Sequence, residues 1–551
     1  MLKQETDKSV RGKTTAEKFS SAYWYYGLLV LIIIFFAAIR YRLRDMPLER
    51  DEGEYAYAGQ LMLQGIPPYK LAYTMKLPGT FAAYALIMAV FGQSPAGIHL
   101  GMILVNAATT TLVYLLAARL SGRLAGLVAA ASYALLSTSA SVLGFAGHAT
   151  NFVVLAALAG ILLLLKALET ERSWLFFASG LLFGLGYLMK QSGIAFAAFG
   201  FCLLIKSEWK RPIDWRSLRA KVGGFVLGVI LPFAFTCLIL AAAGVFKNFW
   251  FWTVDYAGQY AAEIGASLGY QIFKRNFADV VGSALFVWII AGVGATAFLW
   301  HRENRPRAFF VGSFLFFSFL AVCPGLHFRE HYFIQMLPAV ALLAGIAVSS
   351  ATQRLTRAGH GLPVTAIPVL VFLIACANSI DSHKLFLFKM NPPAASRSVY
   401  YENPFPEAVQ VANYIDSHAS KDARIAVLGS EPEIFFYTKR HSVTGYIYTY
   451  GLMEQQKYAL EMQKQMIEEV ESGHAEFLVR VRVAPSWLAT PNSPGLRAFF
   501  SWANSYVNTQ YELVGVADIL RPDYTEYHWG DDAKNYRPRS QYVVEVFKRK
   551  A

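Results

Sequence analysis

Twelve apolar runs occupy the first 380 residues, at 23–39, 80–93, 98–118, 124–143, 152–165, 173–189, 192–205, 222–245, 281–300, 308–324, 332–349 and 362–380. A segment in lipid must satisfy its own backbone, so an apolar stretch of about 20 residues crosses as a helix. The series therefore predicts a polytopic α-helical membrane protein. Composition agrees. Hydrophobic residues make up 55% and charged residues 16%, with a mean hydropathy of +0.36; soluble domains carry about 25% charged residues. A soluble enzyme and a disulfide scaffold are excluded. So is a disordered chain, which needs low hydrophobicity and high charge. The first run follows a polar, basic N-terminus and ends at Ile39-Arg40 without a clear cleavage site, so it reads as an uncleaved anchor.

Orientation follows from Lys and Arg, which collect in cytoplasmic loops. If all twelve runs cross, Arg119, Arg123 and the basic segment 206–221 fall outside. If the short run 80–93, which follows Pro78-Gly79, inserts only partly, eleven helices cross. Segments 1–22, 119–123, 166–172, 206–221, 301–307 and 350–361 then become cytoplasmic, with 20 Lys and Arg between them. That reading is adopted. It puts the loops 40–79, 144–151, 246–280 and 325–331 on the opposite, exoplasmic side. One exception remains: the first of those loops opens with Arg40, Arg42 and Arg44.

The net charge of +13 is unevenly spread. Residues 1–380 hold 31 Lys and Arg against 17 Asp and Glu, whereas residues 381–551 hold 19 against 20. The excess belongs to the membrane part, and nucleic-acid binding has no separate support. Cys202, Cys237, Cys323 and Cys376 all lie in apolar runs and read as small buried hydrophobes. The helix cores from 98 to 380 hold almost no ionisable residues, which counts against a pump or proton-coupled carrier.

The chain thus divides into a cytoplasmic N-terminus (1–22), a transmembrane part (23–380) and an extracytoplasmic C-terminal domain (381–551). Within the last, 389–406 carries four prolines and reads as a linker. Arg424–Gly429 reads as a buried strand, and Ser430-Glu431-Pro432-Glu433 as a capped helix start of the S-x-x-E kind. Residues 453–472 and 495–510 have helical patterns. Glu476–Val483, Glu512–Val516 and Tyr542–Phe547 read as strands. This alternation predicts a small α/β layer domain.

The candidate chemistry lies in the exoplasmic loops. Glu49-Arg50-Asp51-Glu52-Gly53-Glu54-Tyr55 places three acids in four residues at the start of an amphipathic helix, expected to lie on the membrane surface with Asp51, Tyr55 and Met62 on one face. Helix capping explains such acids equally well. Lys76, just before Pro78-Gly79, meets a lipid phosphate or snorkels as an anchor. His148 and Asn151 are polar groups at the end of two helices, ligands or interfacial residues. Lys190, on an otherwise uncharged turn, needs a phosphate, a carboxylate such as Asp51, or water. Arg329 and His331 offer cations for an anionic leaving group, or belong to an interfacial belt with Tyr332. Trp250, Trp252, Tyr256, Tyr260 and Tyr270 crowd one loop, to stack on sugar or to form an aromatic girdle.

Taken together, acids and cations above a neutral bundle suit group transfer from a lipid phosphate. In this order the features resemble the GT-C class of integral-membrane glycosyltransferases, nearest to the bacterial relatives of protein O-mannosyltransferases and lipid A aminoarabinose transferases (glycosyltransferase family 39-like). The resemblance rests on Asp51-Glu52 with Tyr55 and Ala58, on Lys76-Leu77-Pro78, and on His331-Tyr332 leading to Leu337-Pro338. It covers roughly residues 20–380.

The resemblance implies a polyprenyl-phosphate sugar donor and transfer at the exoplasmic face to a glycan, lipid or protein acceptor. Asp51 becomes the general base or acceptor-orienting acid, with Glu52 in support. Lys76 contacts donor phosphate. From the residues themselves, Lys190, Arg329 and His331 are further candidates to bind that phosphate, and Glu54, Tyr55, His148, Asn151 and Tyr256 to bind acceptor or sugar. A divalent cation such as Mg or Mn is a candidate cofactor with no assigned ligands.

Two departures stand out. Asn151 occupies the place of a family carboxylate, putting a metal site there in doubt, and Gly79 replaces a proline, which is expected to loosen that turn. The lack of paired cysteines and of a retention signal points to a bacterial inner membrane. A lipid-carrier flippase and an inactive scaffold of the same fold remain the alternatives.

Overall fold

The structure, a computed structural model, describes residues 15–209 and 214–550. The basic residues at 1–14 and Lys210-Arg211 lie outside the described residues. Nine helices lead the fold: α1 (Thr15–Arg42), α2 (Arg50–Leu63), α3 (Gly79–Phe91), α4 (Pro95–Ser121), α5 (Arg123–Leu136), α6 (Ala149–Thr170), α7 (Ser173–Met189), α8 (Ile194–Glu208) and α9 (Trp215–Ala242).

Among the described residues six helices are long and apolar enough to cross a membrane: most of α1, then α4, α6, α9, Leu337–Arg357 and Leu362–Ser382. Ala266–Gly282 and Leu285–Trp300 meet at 103° and add a seventh if counted as one broken span. The 13-residue α3 reaches only about 20 Å at 1.5 Å per residue, short of a hydrocarbon core of about 30 Å.

The charge exception after the first run has a structural cause. The Arg40 guanidinium donates to the carbonyls of Ser137 and Gly144, both at 2.6 Å. Arg42 donates to the carbonyls of Phe386, Leu387 and Met390. Both arginines satisfy backbone oxygens at element ends, where intrahelical partners run out.

The C-terminal part is built on one mixed sheet of β1 (Arg424–Leu428), β2 (His441–Ser442), β3 (Phe477–Arg482), β4 (Tyr511–Arg521), β5 (Tyr524–Trp529) and β6 (Val543–Arg549). Its order is β2-β1-β3-β6-β4-β5. β1 runs parallel to β2 and β3, and the remaining pairs are antiparallel. The helices Ala459–Gly473 and Leu496–Gln510 carry the chain into β3 and β4.

Three expectations are corrected. The stretch 389–406 is not a loose linker. Asn391 caps a helix over Pro392–Tyr400 by accepting from the Ala394 N–H, and Arg397 is buried against Glu407. Ser430 does not cap the next helix, which starts at Glu433 behind Pro432. Its hydroxyl instead pairs with Thr449, 2.9 Å away. Nor does α2 lie on a surface, since 11 of its 14 residues are buried.

α2 is buried between α3, where Tyr55 packs on Phe81 and Tyr84, and the C-terminal part. Arg50 donates to the Ser430 carbonyl, to Glu431 at 2.7 Å and to the Tyr450 hydroxyl at 2.7 Å. The Ser442 N–H donates to Tyr57 Oη, and the Leu48 N–H to Tyr437 Oη. Gly53 meets the backbone of the C-terminal part directly: a Cβ there would lie 2.6 Å from the Glu433 nitrogen. Apolar residues of α2, α3 and the sheet form one continuous core. Gly53→Ala is therefore expected to destabilise the protein by about 1–3 kcal/mol, the usual penalty of overpacking, and to speed proteolysis of the C-terminal part. A melting temperature and digestion rate equal to wild type would refute this tight seating.

Candidate active site

Between the bundle and the C-terminal part lies a cavity of about 770 Å³. Its walls come from the start of α2, the 73–76 loop, the turns at 148 and 190, the 252–261 segment, the 324–332 segment, and from 399–405, 448–454, Pro485 and Leu488.

The α2 helix sorts its own acids. Glu49 is the N-cap: its side chain accepts from the Glu52 N–H at 2.9 Å, and Glu52 reciprocates. Glu52 points away from the cavity, accepting from the Gly147 N–H at 2.6 Å and lying 3.2 Å from His99 Nε2. The helical repeat turns Asp51, Glu54 and Tyr55 to the opposite side. There Lys76 Nζ reaches Asp51 Oδ1 at 2.6 Å and Glu54 Oε2 at 2.5 Å, and it sits over the rings of Tyr55 and Tyr448.

Burial favours the neutral forms, but the mutual attraction of these ions decides two of the three. Burial opposes the Lys76 charge, yet Asp51 and Glu54 hold its pKa well above the usual lysine range. Burial would raise Asp51 too; the charge of Lys76 instead holds it well below the usual carboxylate range. Glu54 stays raised, because burial outweighs its share of Lys76.

His148 and His331 stack face to face, with ring centroids 4.0 Å apart. Asp51 Oδ2 lies 3.8 Å from His148 Nδ1 and 3.9 Å from His331 Nε2. Both rings are buried, and among the described residues neither nitrogen of His148 nor Nδ1 of His331 has a hydrogen-bond partner. Burial pushes His148 down to about 4 and His331 well below the imidazole range, so both are neutral. One donor atom from each of Asp51, His148 and His331 lies within 4.8 Å of the others.

Two further cations face the cavity without a carboxylate partner among the described residues. Lys190 Nζ sits 3.4 Å from the centroid of the Tyr332 ring. Burial pushes it down to about 7; Asp51 opposes this, while Lys76 and Arg329 add to it. Arg329 interacts with the phenols of Tyr260, Tyr332, Tyr448 and Tyr450. At the roof, Tyr256 donates to Glu454 at 2.6 Å, and burial raises Glu454 to about 7.

Of the residues singled out in the sequence, the structure gathers Asp51, Glu54, Tyr55, Lys76, His148, Lys190, Tyr256, Arg329 and His331 around the cavity. Glu52 and Asn151 lie outside it. Asn151 donates instead to the carbonyls of Ala146 and His148. Gly79 does not loosen its turn: a Cβ there would lie 2.5 Å from the Leu188 carbonyl, so glycine brings α3 against the end of α7. Tyr448, Tyr450 and Glu454 escaped the sequence reading. They sit about 400 residues from Asp51, and no local pattern links them to it.

This geometry can be set beside known proteins. Residues 76–236 match the family model of dolichyl-phosphate-mannose-protein mannosyltransferase, so the matched stretch opens at Lys76. ArnT from Cupriavidus metallidurans bound to undecaprenyl phosphate superposes with a TM-score of 0.56 at 16% identity, over 95% of this chain and 98% of that one. The archaeal oligosaccharyltransferase AglB from Archaeoglobus fulgidus, in complex with an inhibitory peptide and a dolichol-phosphate, gives a TM-score of 0.51 at 12% identity, over 93% and 75%. The fold is that of the GT-C glycosyltransferases. No curated protein sequence matches the chain.

The environment of Lys190 is directly testable. A small acylating reagent should modify it with a half-maximal rate near pH 7, whereas ordinary lysines require about pH 10.4. The neutral amine is the reactive form, so labelling rises with pH through that midpoint. A midpoint near the ordinary value would show that the amine is solvated.

Proposed function

We propose that this protein transfers a sugar from a polyprenyl-phosphate donor to an acceptor at the exoplasmic face of a bacterial inner membrane. One observation carries the reading: a single cavity holds an ionised carboxylate, Asp51, together with two basic side chains, Lys190 and Arg329, that form no ion pair with a carboxylate among the described residues. The GT-C fold, with its solved members bound to undecaprenyl phosphate and dolichol-phosphate, supports it.

In this scheme Lys190 and Arg329 receive the donor phosphate and stabilise it as it leaves. Lys76 serves differently from its expected role as a phosphate ligand. Two carboxylates already neutralise it, and it keeps Asp51 ionised. Asp51 accepts the hydrogen bond of the acceptor hydroxyl and orients it towards the sugar carbon. A carboxylate held this acidic is a weak base. Glycosyl transfer through an oxocarbenium-like state needs no more: the sugar–phosphate C–O bond breaks as the acceptor oxygen bonds to the sugar carbon, and the proton of that oxygen, now acidic, passes to the Asp51 carboxylate. The aromatic roof of Trp252 and Tyr256 stacks on the sugar.

The donor set Asp51, His148 and His331 fits one divalent cation: two buried imidazoles with unpartnered nitrogens and a carboxylate converge within reach of one ion. Imidazole donors favour zinc and neighbouring transition ions over magnesium, so of the two metals expected from the sequence manganese suits the set better. Such an ion would supply Lewis-acid stabilisation of the leaving phosphate.

Asp51→Asn at matched expression should lower transfer at least ~100-fold and make a lipid-linked sugar accumulate, read by mass spectrometry of membrane polyprenyl phosphates. Identical lipid pools with the substrate supply present would sink the transferase reading. Separately, calorimetric titration with Zn²⁺ or Mn²⁺ should show one site. His148→Ala or His331→Ala should each weaken it by more than ~10-fold; unchanged affinity would reject this ligand set.

A further inference from the structure

We infer that the C-terminal α/β part is a working wall of the active site, and that Tyr448 is a positioning residue that orients Asp51. This rests on the transferase reading above and assigns to the C-terminal part a task that the reading leaves open.

The Tyr448 hydroxyl donates to Asp51 Oδ1 at 3.3 Å. The same oxygen accepts from Lys76. With Oδ1 occupied from two sides, Oδ2 is the oxygen turned towards His148 and His331. Lys76 alone is a poor clamp, because it is shared with Glu54 and reaches in from a loop. The second donor makes one orientation of the carboxylate preferred.

Tyr448 can serve because its own segment is pinned. The Thr449 N–H donates to Ser430 Oγ at 2.9 Å, and the Thr449 hydroxyl pairs with the same oxygen. The Tyr450 hydroxyl donates to the Pro485 carbonyl at 2.7 Å and accepts from Arg50 at 2.7 Å. The Tyr448 ring stands edge-on to Tyr450, with centroids 4.7 Å apart. Arg50 directly precedes Asp51. The same segment of the C-terminal part that binds the Arg50 guanidinium through Tyr450 therefore also reaches the carboxylate at 51 through Tyr448.

The test uses the full-length protein in detergent. Its donor is the lipid-linked sugar that accumulates with Asp51→Asn, purified from those membranes, and the readout is release of polyprenyl phosphate. Tyr448→Phe keeps the ring and removes only the hydroxyl. The expected result is a kcat lower by about 10-fold, the scale of one hydrogen bond to a charged group, with donor KM and melting temperature unchanged. Tyr448→Leu, which also removes the ring from Lys76, should lose more.

Wild-type turnover in Tyr448→Phe, with Asp51→Asn inactive beside it, would overturn this inference and leave the transferase reading standing. A kcat loss matched by a fall in melting temperature would overturn it too, as a purely structural role. If the wild-type protein consumes no lipid-linked sugar, the transferase reading fails and this inference falls with it.

Discussion

A largely buried ammonium, Lys76, clamped between the part-buried Asp51 and the buried Glu54 organises the acidic face of α2. Lys76, Asp51 and Glu54 cannot be separated cheaply, since removing one partner of a buried ion pair leaves the other uncompensated at about 3–5 kcal/mol. The loop carrying Lys76 must therefore close on the acidic face of α2, and α2 must present that face. The reciprocal cap between Glu49 and Glu52 starts the helix in the register that does so. Asp51 is then ionised by its surroundings, while the two histidines beside it stay neutral through burial.

Around this triad the protein spends its other charges on structure or keeps them for a ligand, and the distinction is visible. Arg40 and Arg42 are consumed by backbone carbonyls, and Arg50 by the C-terminal part. Among the described residues Lys190 and Arg329 form no ion pair with a carboxylate, and Lys190 sits over the Tyr332 ring with the cavity before it. An unneutralised cation in a buried cleft is unfavourable unless something anionic arrives. That asymmetry, more than the number of charges, gives the cavity its polarity.

Much of the architecture was legible. The apolar runs mark a polytopic bundle because lipid leaves the backbone few alternatives. The period-2 and helical patterns after residue 420 found β1, β3, β6 and the helices at 459–473 and 496–510. Reading by motif went astray where tertiary contacts overrode local rules. Ser430-Glu431-Pro432-Glu433 has the letters of a capping box, but Ser430 is claimed by Thr449 and Pro432 takes the cap position. The proline-rich stretch at 389–406 folds as a capped helix braced by a buried Arg–Glu pair. Gly79 seemed a looser substitute for proline and is in fact a point of closest approach.

The sequence by itself determined the membrane class, the α/β alternation of the C-terminal part, and the cluster of acids, cations and histidines from which any chemistry must be drawn. Each is written in short-range pattern, where periodicity and composition act directly on the backbone. Only the tertiary structure decided which acid faces the cavity and which one braces α2. Asp51 and Glu52 are neighbours in sequence, but successive helical side chains diverge by about 100°, and one faces the cavity while the other ties α2 to the bundle. Likewise only the fold brought Tyr448 to Asp51 and His331 to His148. Contacts between residues far apart in sequence depend on the packing of whole elements, and no local pattern encodes them.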